Sequence, residues 1–168
     1  MNADTLTQSH LKELLHYDPD TGVFTRKVTR SGRAKAGDVA GFTVHGYRGI
    51  MIAKKNYRCH RLAFLYMTGR FPEAQIDHIN GNRSDNRWIN LRQANNAENM
   101  RNRGRQSNNT SGFKGVNKKT DHARKNPWRA TIHLNGKSKS IGHFKTPEEA
   151  YAAYSTAADK IHGDFAHH

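Results

Sequence analysis

The residues best suited to chemistry lie in one stretch, Gln75-Ile-Asp-His-Ile-Asn-Gly-Asn-Arg-Ser-Asp-Asn-Arg-Trp-Ile-Asn-Leu-Arg92, followed by Ala97-Glu-Asn-Met-Arg-Asn-Arg103. A carboxylate and an imidazole adjoin at Asp77 and His78, and amides follow at Asn90 and Asn99. Phosphodiester hydrolysis needs such a set. Water must lose a proton, and an imidazole with a pKa of about 6.5 is a suitable base. The leaving 3′ oxygen must be stabilised, which a hard divalent cation held by a carboxylate and an amide oxygen can do. An Asp-His pair alone would read as a polar turn decorated by Asp77, Asn80, Asn82, Asp85 and Asn86. The full pattern points to hydrolysis.

These residues need elements to bring them together. Ile76 and Ile79 bracket the Asp-His pair in a short strand, and Asn80-Gly-Asn82 supplies a turn. Trp88–Arg92 is predicted as the returning strand, and Asn95–Arg103 as a helix. Upstream, Leu6–His16 is predicted as a short helix ending at the turn-forming segment Tyr17-Asp-Pro-Asp-Thr-Gly22. Val23–Val28, Val39–Thr43 and Tyr47–Ala53 are predicted strands, and Arg30–Lys35 a basic loop. Tyr57–Met67 reads as a helix stopped by Gly69. His60 begins that helix near the motif, where it could touch a phosphate or serve the helix end; it is not placed in the active site.

Residues 58–103, from Arg58-Cys-His-Arg-Leu-Ala63 through Asp77-His-Ile-Asn-Gly-Asn82 to Asn90-Leu-Arg92 and Asn99, resemble the HNH endonucleases of the phage and homing type. Tyr17-Asp-Pro-Asp-Thr-Gly-Val-Phe24 and Ala36-Gly-Asp-Val-Ala-Gly41 are also similar to those enzymes. The resemblance implies a ββα-metal nuclease core. It implies His78 as general base and Asn90 as the residue that holds the first strand and helps orient the base. Asp77 and Asn99 are implied ligands of a single Mg²⁺ or Mn²⁺. The paired cysteines of zinc-stabilised members are missing, so no structural zinc is implied.

Composition turns polar and then changes after the motif. Asn102–Ser111 contains no apolar residue and reads as a linker, with Arg101, Arg103 and Arg105 able to track phosphates or enter a minor groove. Trp128–Leu134 alternates, with Trp128, Ala130, Ile132 and Leu134 on one face and Arg129, Thr131 and His133 on the other. Asn135-Gly136 is a hairpin turn signal, and Ser138–Phe144 the partner strand. Thr146-Pro-Glu-Glu149 is a capping box that opens a helix with an apolar stripe of Ala150, Tyr151, Tyr154, Ala157, Ala158 and Ile161. Gly163 closes it. A three-stranded antiparallel sheet packed on one helix follows.

Residues 112–166 resemble the AP2 DNA-binding domain, through Gly112-Phe-Lys-Gly-Val116, Trp128-Arg-Ala-Thr-Ile132, Ile141-Gly-His-Phe144, Thr146–Tyr154 and Gly163. The resemblance implies a sheet that reads duplex DNA. The implied contacts are Lys114, Asn117, Lys119, Thr131, His133 and the Lys137/Lys139 region. Lys118 and Arg129 add charge to the same surface. Phe113, Trp128, Phe144 and Tyr154 are assigned to the core.

The chain thus reads as α+β: a nuclease domain over 1–103 with a small mixed unit at its start, a basic linker over 104–111, and an AP2-like domain over 112–168. Its 28 Lys and Arg against 14 Asp and Glu give a net charge of +14, which calls for a polyanionic partner. Cys59 is the single cysteine, which excludes a disulfide framework. No apolar run approaches the roughly 20 residues of a membrane span, and Met1–Thr7 lacks a signal peptide's character. The expected setting is the cytoplasm of a bacterial or phage-infected cell. Double-stranded DNA is the expected partner, with no membrane and no small-molecule cofactor. The expected function is site-directed DNA cleavage, nicking or double-strand cutting. The alternative is a non-cleaving DNA-binding regulator with a vestigial nuclease module.

Overall fold

The computed structural model describes residues 6–102, 109–119, 125–134, 137–163 and 166. It divides into two compact units, Met1–Asn96 and Ala97–His168, each with its own apolar core.

In the first unit, Thr7 caps helix α1 (Gln8–Leu14) by accepting from the His10 amide. Leu15 leaves helical geometry at once and opens β1 (Leu15–Tyr17), which pairs antiparallel with β2 (Phe24–Arg26). The helix expected over 6–16 therefore ends earlier: Leu15 and Tyr17 alternate inward around exposed His16, the burial of a strand. The Asp18–Gly22 turn joins the two strands. The Asp18 carboxylate accepts from the amides of Asp20 and Thr21 and from the Thr21 hydroxyl. Those bonds hold the Asp18 carboxyl below its ordinary pKa.

A three-stranded sheet follows in the order β3 (Phe42–Val44), β4 (Tyr47–Ile52), β5 (Lys55–Arg58). Strand β5 runs directly into α2 (Cys59–Thr68). The helix expected from Tyr57 thus starts two residues later, because Tyr57 and Arg58 pair with Ile50 and Gly49 of β4. Gly69 ends α2 in the left-handed region at φ +81°. Helix α2 buries Leu62, Ala63, Phe64 and Leu65 against the core of Leu11, Tyr17, Phe24 and Ile50.

The motif itself forms a two-stranded ribbon of β6 (Gln75–His78) and β7 (Leu91–Ala94). Trp88–Asn90, expected to open the returning strand, is a short 3-10 helix, and the strand starts at Leu91. Trp88 causes the tight turn: its amide donates to the Pro19 carbonyl at 2.8 Å and its ring packs on Phe64 at 4.8 Å. Helix α3 (Asn96–Arg101) then begins at the boundary between the units.

In the second unit, β8 (Val116–Lys118), β9 (Trp128–Leu134) and β10 (Lys137–Phe144) form an antiparallel sheet in the order β10-β9-β8. Helix α4 (Pro147–His162) packs Ala150, Tyr154 and Ala158 on Val116, Ala130 and Ile132. Thr146 accepts from the Glu149 amide, while the Glu149 carboxylate reaches the Lys145 amide. Ile161, expected on the buried stripe, is 39% exposed at the helix end. Asn135-Gly136 lies outside the described residues.

Candidate active site

The register of the ribbon sets Asp77 opposite Arg92 and His78 opposite Leu91. Arg92 reaches a single oxygen of Asp77, Oδ2, through Nε at 2.9 Å and Nη2 at 2.8 Å. Both side chains are largely buried, so removing either would strand a charge away from water. Strand alternation carries His78 to the other side, against helix α2 and strand β4. There its ring meets His60 edge-to-face at 5.1 Å and Tyr47 at 6.1 Å.

The loop between the strands is held by amides. Asn90 Oδ1 accepts from the Asn80 amide at 3.0 Å, and Asn90 Nδ2 donates to the Asp85 carbonyl at 2.8 Å. Asn90 is thus a staple across the loop. Asp85 takes both Arg87 nitrogens and the Asn80 amide group on its carboxylate, which lowers its pKa to about 2.

A hydrogen-bond partner of His78 is Asn86, which the sequence left as turn decoration. It is 1% exposed. Its Nδ2 donates to the Ser84 carbonyl at 3.1 Å, so its Oδ1 is the atom that faces His78 Nε2 at 3.3 Å. An acceptor at Nε2 puts the proton there and assigns the lone pair to Nδ1. The Asn86 carbonyl in turn accepts from the buried Tyr17 hydroxyl at 2.7 Å. Gly22, at φ +72°, packs so close to Asn86 and Arg87 that a Cβ there would collide with their backbone. The N-terminal turn therefore buttresses the loop that orients His78.

Burial lowers the pKa of His78; Arg83 acts in the same direction, while the Asn86 bond, Asp77 and Asp85 oppose it. The imidazole is accordingly neutral near pH 7, the state a base requires. His60 is buried, its Nδ1 has no hydrogen-bond partner among the described residues, and burial with His78 nearby lowers its pKa to about 3. Its position at the second residue of a helix was visible in the sequence; its contact with His78 was not.

The chemistry available for a cation is that of one carboxylate, Asp77, on the ribbon. No group of three or more His, Cys, Asp or Glu side chains able to hold a metal occurs among the described residues. One carboxylate with amide oxygen, water and phosphate suits a hydrated hard cation such as Mg²⁺ and is a poor zinc cage. The expected second ligand, Asn99, lies on α3 in the other unit.

The expected DNA contacts fall on several surfaces of the second unit. Arg103 and Arg105 lie outside the described residues, as does the side chain of Arg101. Asn117 pairs with Arg129 across β8 and β9, and His133 pairs with Ser138 across β9 and β10. Arg129, Thr131 and His133 alternate with buried Ala130 and Ile132 and so share the face away from the core. Arg129 Nε donates to the Ser140 hydroxyl at 3.2 Å, and the Thr131 hydroxyl donates to the Gly115 carbonyl at 3.3 Å. Lys137 and Lys139 are exposed but pair with Leu134 and Ile132, on the opposite face. Lys118 lies over the Trp128 ring at 5.6 Å, and Lys119 is half-buried. Lys114 is half-buried, which lowers its pKa to about 8. No helix among the described residues is long and apolar enough to cross a membrane.

Residues 57–101 match the family model described as HNH endonuclease, from the end of β5 through α3. Over 109 residues the chain is 32% identical to an uncharacterized HNH endonuclease of Acanthamoeba polyphaga mimivirus, covering 64% of this chain and 54% of that protein. The chain spans about half the length of that curated relative. No solved structure matches.

Proposed function

We propose that this chain is a DNA endonuclease that hydrolyses phosphodiester bonds with one divalent cation and His78 as general base. The observation that carries the reading is the Asn86–His78 contact, which supports a proton on Nε2 of a buried, neutral imidazole next in the strand to Asp77. The His78 imidazole accepts the proton of the attacking water. Asn86 fixes the tautomer, and Asn90 holds the loop closed so that Asn86 stays in place. Arg92 holds the Asp77 carboxylate in place through Oδ2. The Asp77 carboxylate would hold Mg²⁺ or Mn²⁺, which when bound stabilises charge on the leaving 3′ oxygen. The match of residues 57–101 to the HNH endonuclease model supports the same assignment.

The finer reading gives target choice to the second unit as an AP2-like domain. A three-stranded sheet on one helix, with Asn117, Arg129, Thr131 and His133 on the face away from the core, supports it. Sheets of that width can enter a major groove. Duplex plasmid incubated with the protein tests the whole reading. Nicks or breaks should appear with Mg²⁺ or Mn²⁺ and vanish in excess chelator. Undiminished cutting in chelator would remove the metal. Tight duplex binding with no cutting under any divalent cation would favour the non-cleaving regulator.

A further inference from the structure

Two guanidinium groups in the first unit converge on one aromatic ring beside His78. Arg58, the last residue of β5, has its guanidinium carbon 5.0 Å from the centre of the Tyr47 ring. Arg83, in the loop after β6, stands 5.1 Å from the same centre. The Tyr47 ring also lies 5.5 Å from His60 and 6.1 Å from His78. Both arginine charges are felt at the two histidines, Arg58 at His60 and Arg83 at His78.

Neither guanidinium pairs with a carboxylate among the described residues. The acids of the neighbourhood are committed elsewhere, Asp85 to Arg87 and Asp77 to Arg92. Arg58 makes one bond, from Nη1 to the Val44 carbonyl at 3.1 Å, which fixes the group and leaves its other N–H donors uncommitted to protein. The two permanent cations lie 5.0 and 5.1 Å from one ring centre, so they stand no more than about 10 Å apart, and an anion between or beside them is attracted by both. The guanidinium fork matches two phosphate oxygens, and Arg holds its charge at every working pH.

We infer that Arg58, Tyr47 and Arg83 form a phosphate clamp, taking a backbone phosphodiester of the DNA strand presented to His78. This rests on the nuclease reading above and adds to it a binding site for the substrate backbone. The clamp reads no sequence; it sets the strand's register against the base.

The test uses the full chain carrying His78→Ala, so that bound duplex is not cut, and measures affinity over a range of salt. Losing one neutralised phosphate should lower the steepness of log affinity against log salt by about 0.9. Arg83→Ala should lower it, and Arg58→Ala with Arg83→Ala should lower it by about that amount in all, since the two cations share one phosphate. Arg83→Lys should keep the slope, since the charge remains. Arg83 is exposed, so its substitution leaves the fold intact and decides the matter even if Arg58→Ala lowers the melting temperature. A slope unchanged in a folded Arg83→Ala protein would overturn the clamp while leaving the nuclease reading standing. A parent protein that failed to bind duplex at all would overturn the nuclease reading itself, and the clamp with it.

Discussion

The Asn86 amide bears on the tautomer of His78. If Asn86 Oδ1 holds the proton at Nε2, then Asn86→Ala should slow single-turnover cutting by a factor on the order of 10 to 100 while duplex affinity stays within a few-fold. Equal rates in the variant would show that the tautomer is set some other way. His60 carries a stability consequence. Its folded pKa of about 3 lies below the unfolded value of about 6.5, so the unfolded chain takes up the proton first as pH falls. The stability from neutral His60 is present above pH 6.5 and is lost on the way down toward pH 3, by up to about 1.4 kcal/mol per pH unit. Denaturant melts at pH 7 and pH 5 should show that loss, and His60→Phe should shrink it; an identical loss in the variant would refute the account. Of these residues, Asp77 and His78 could be read from the sequence, because an adjacent acid and imidazole are conspicuous wherever they fold. Asn86 could not, since six other polar residues share its loop and only loop closure selects the one that reaches the ring.

At the scale of elements, the Asp18–Gly22 turn matters because it braces the loop holding Asn86. Gly22→Ala would force a side chain into the backbone of Asn86 and Arg87 from a left-handed conformation. It should cost more than about 1 kcal/mol and depress cutting, whereas Gly32→Ala, with open space around it, should do neither. Thermal melts paired with cutting rates check this; equal behaviour of the two variants would contradict the bracing. The β9 strand was legible because seven residues alternate cleanly, and α4 because its cap and stripe coincide. Strands β1 and β5 were not, since three or four residues carry too little periodicity to be told from the helices they adjoin. The 3-10 turn at Trp88 was hidden for another reason. It is imposed by Pro19 and Phe64, far away in the chain.

For the whole molecule, two separate cores imply two parts that keep their structure when parted. A fragment of residues 1–107 should cut DNA weakly and with relaxed sequence choice. A fragment of residues 110–168 should bind duplex without cutting, with affinity falling steeply as salt rises. Gel-shift affinity of each on a selected site against scrambled duplex is the comparison; full site preference in the 1–107 fragment would take target reading away from the second unit. The net charge that suggests nucleic acid was plain in the sequence, but charge alone does not locate a boundary between units. The packing of the chain places that boundary at Asn96. The central claim is that His78 takes the proton in the bond-breaking step, and single-turnover cutting of duplex DNA by His78→Ala, with Mg²⁺ or Mn²⁺ and with affinity measured alongside, tests it most directly. The account predicts a rate lower by a factor on the order of 10² or more with affinity changed only a few-fold; a variant that cuts at the wild-type rate would contradict it.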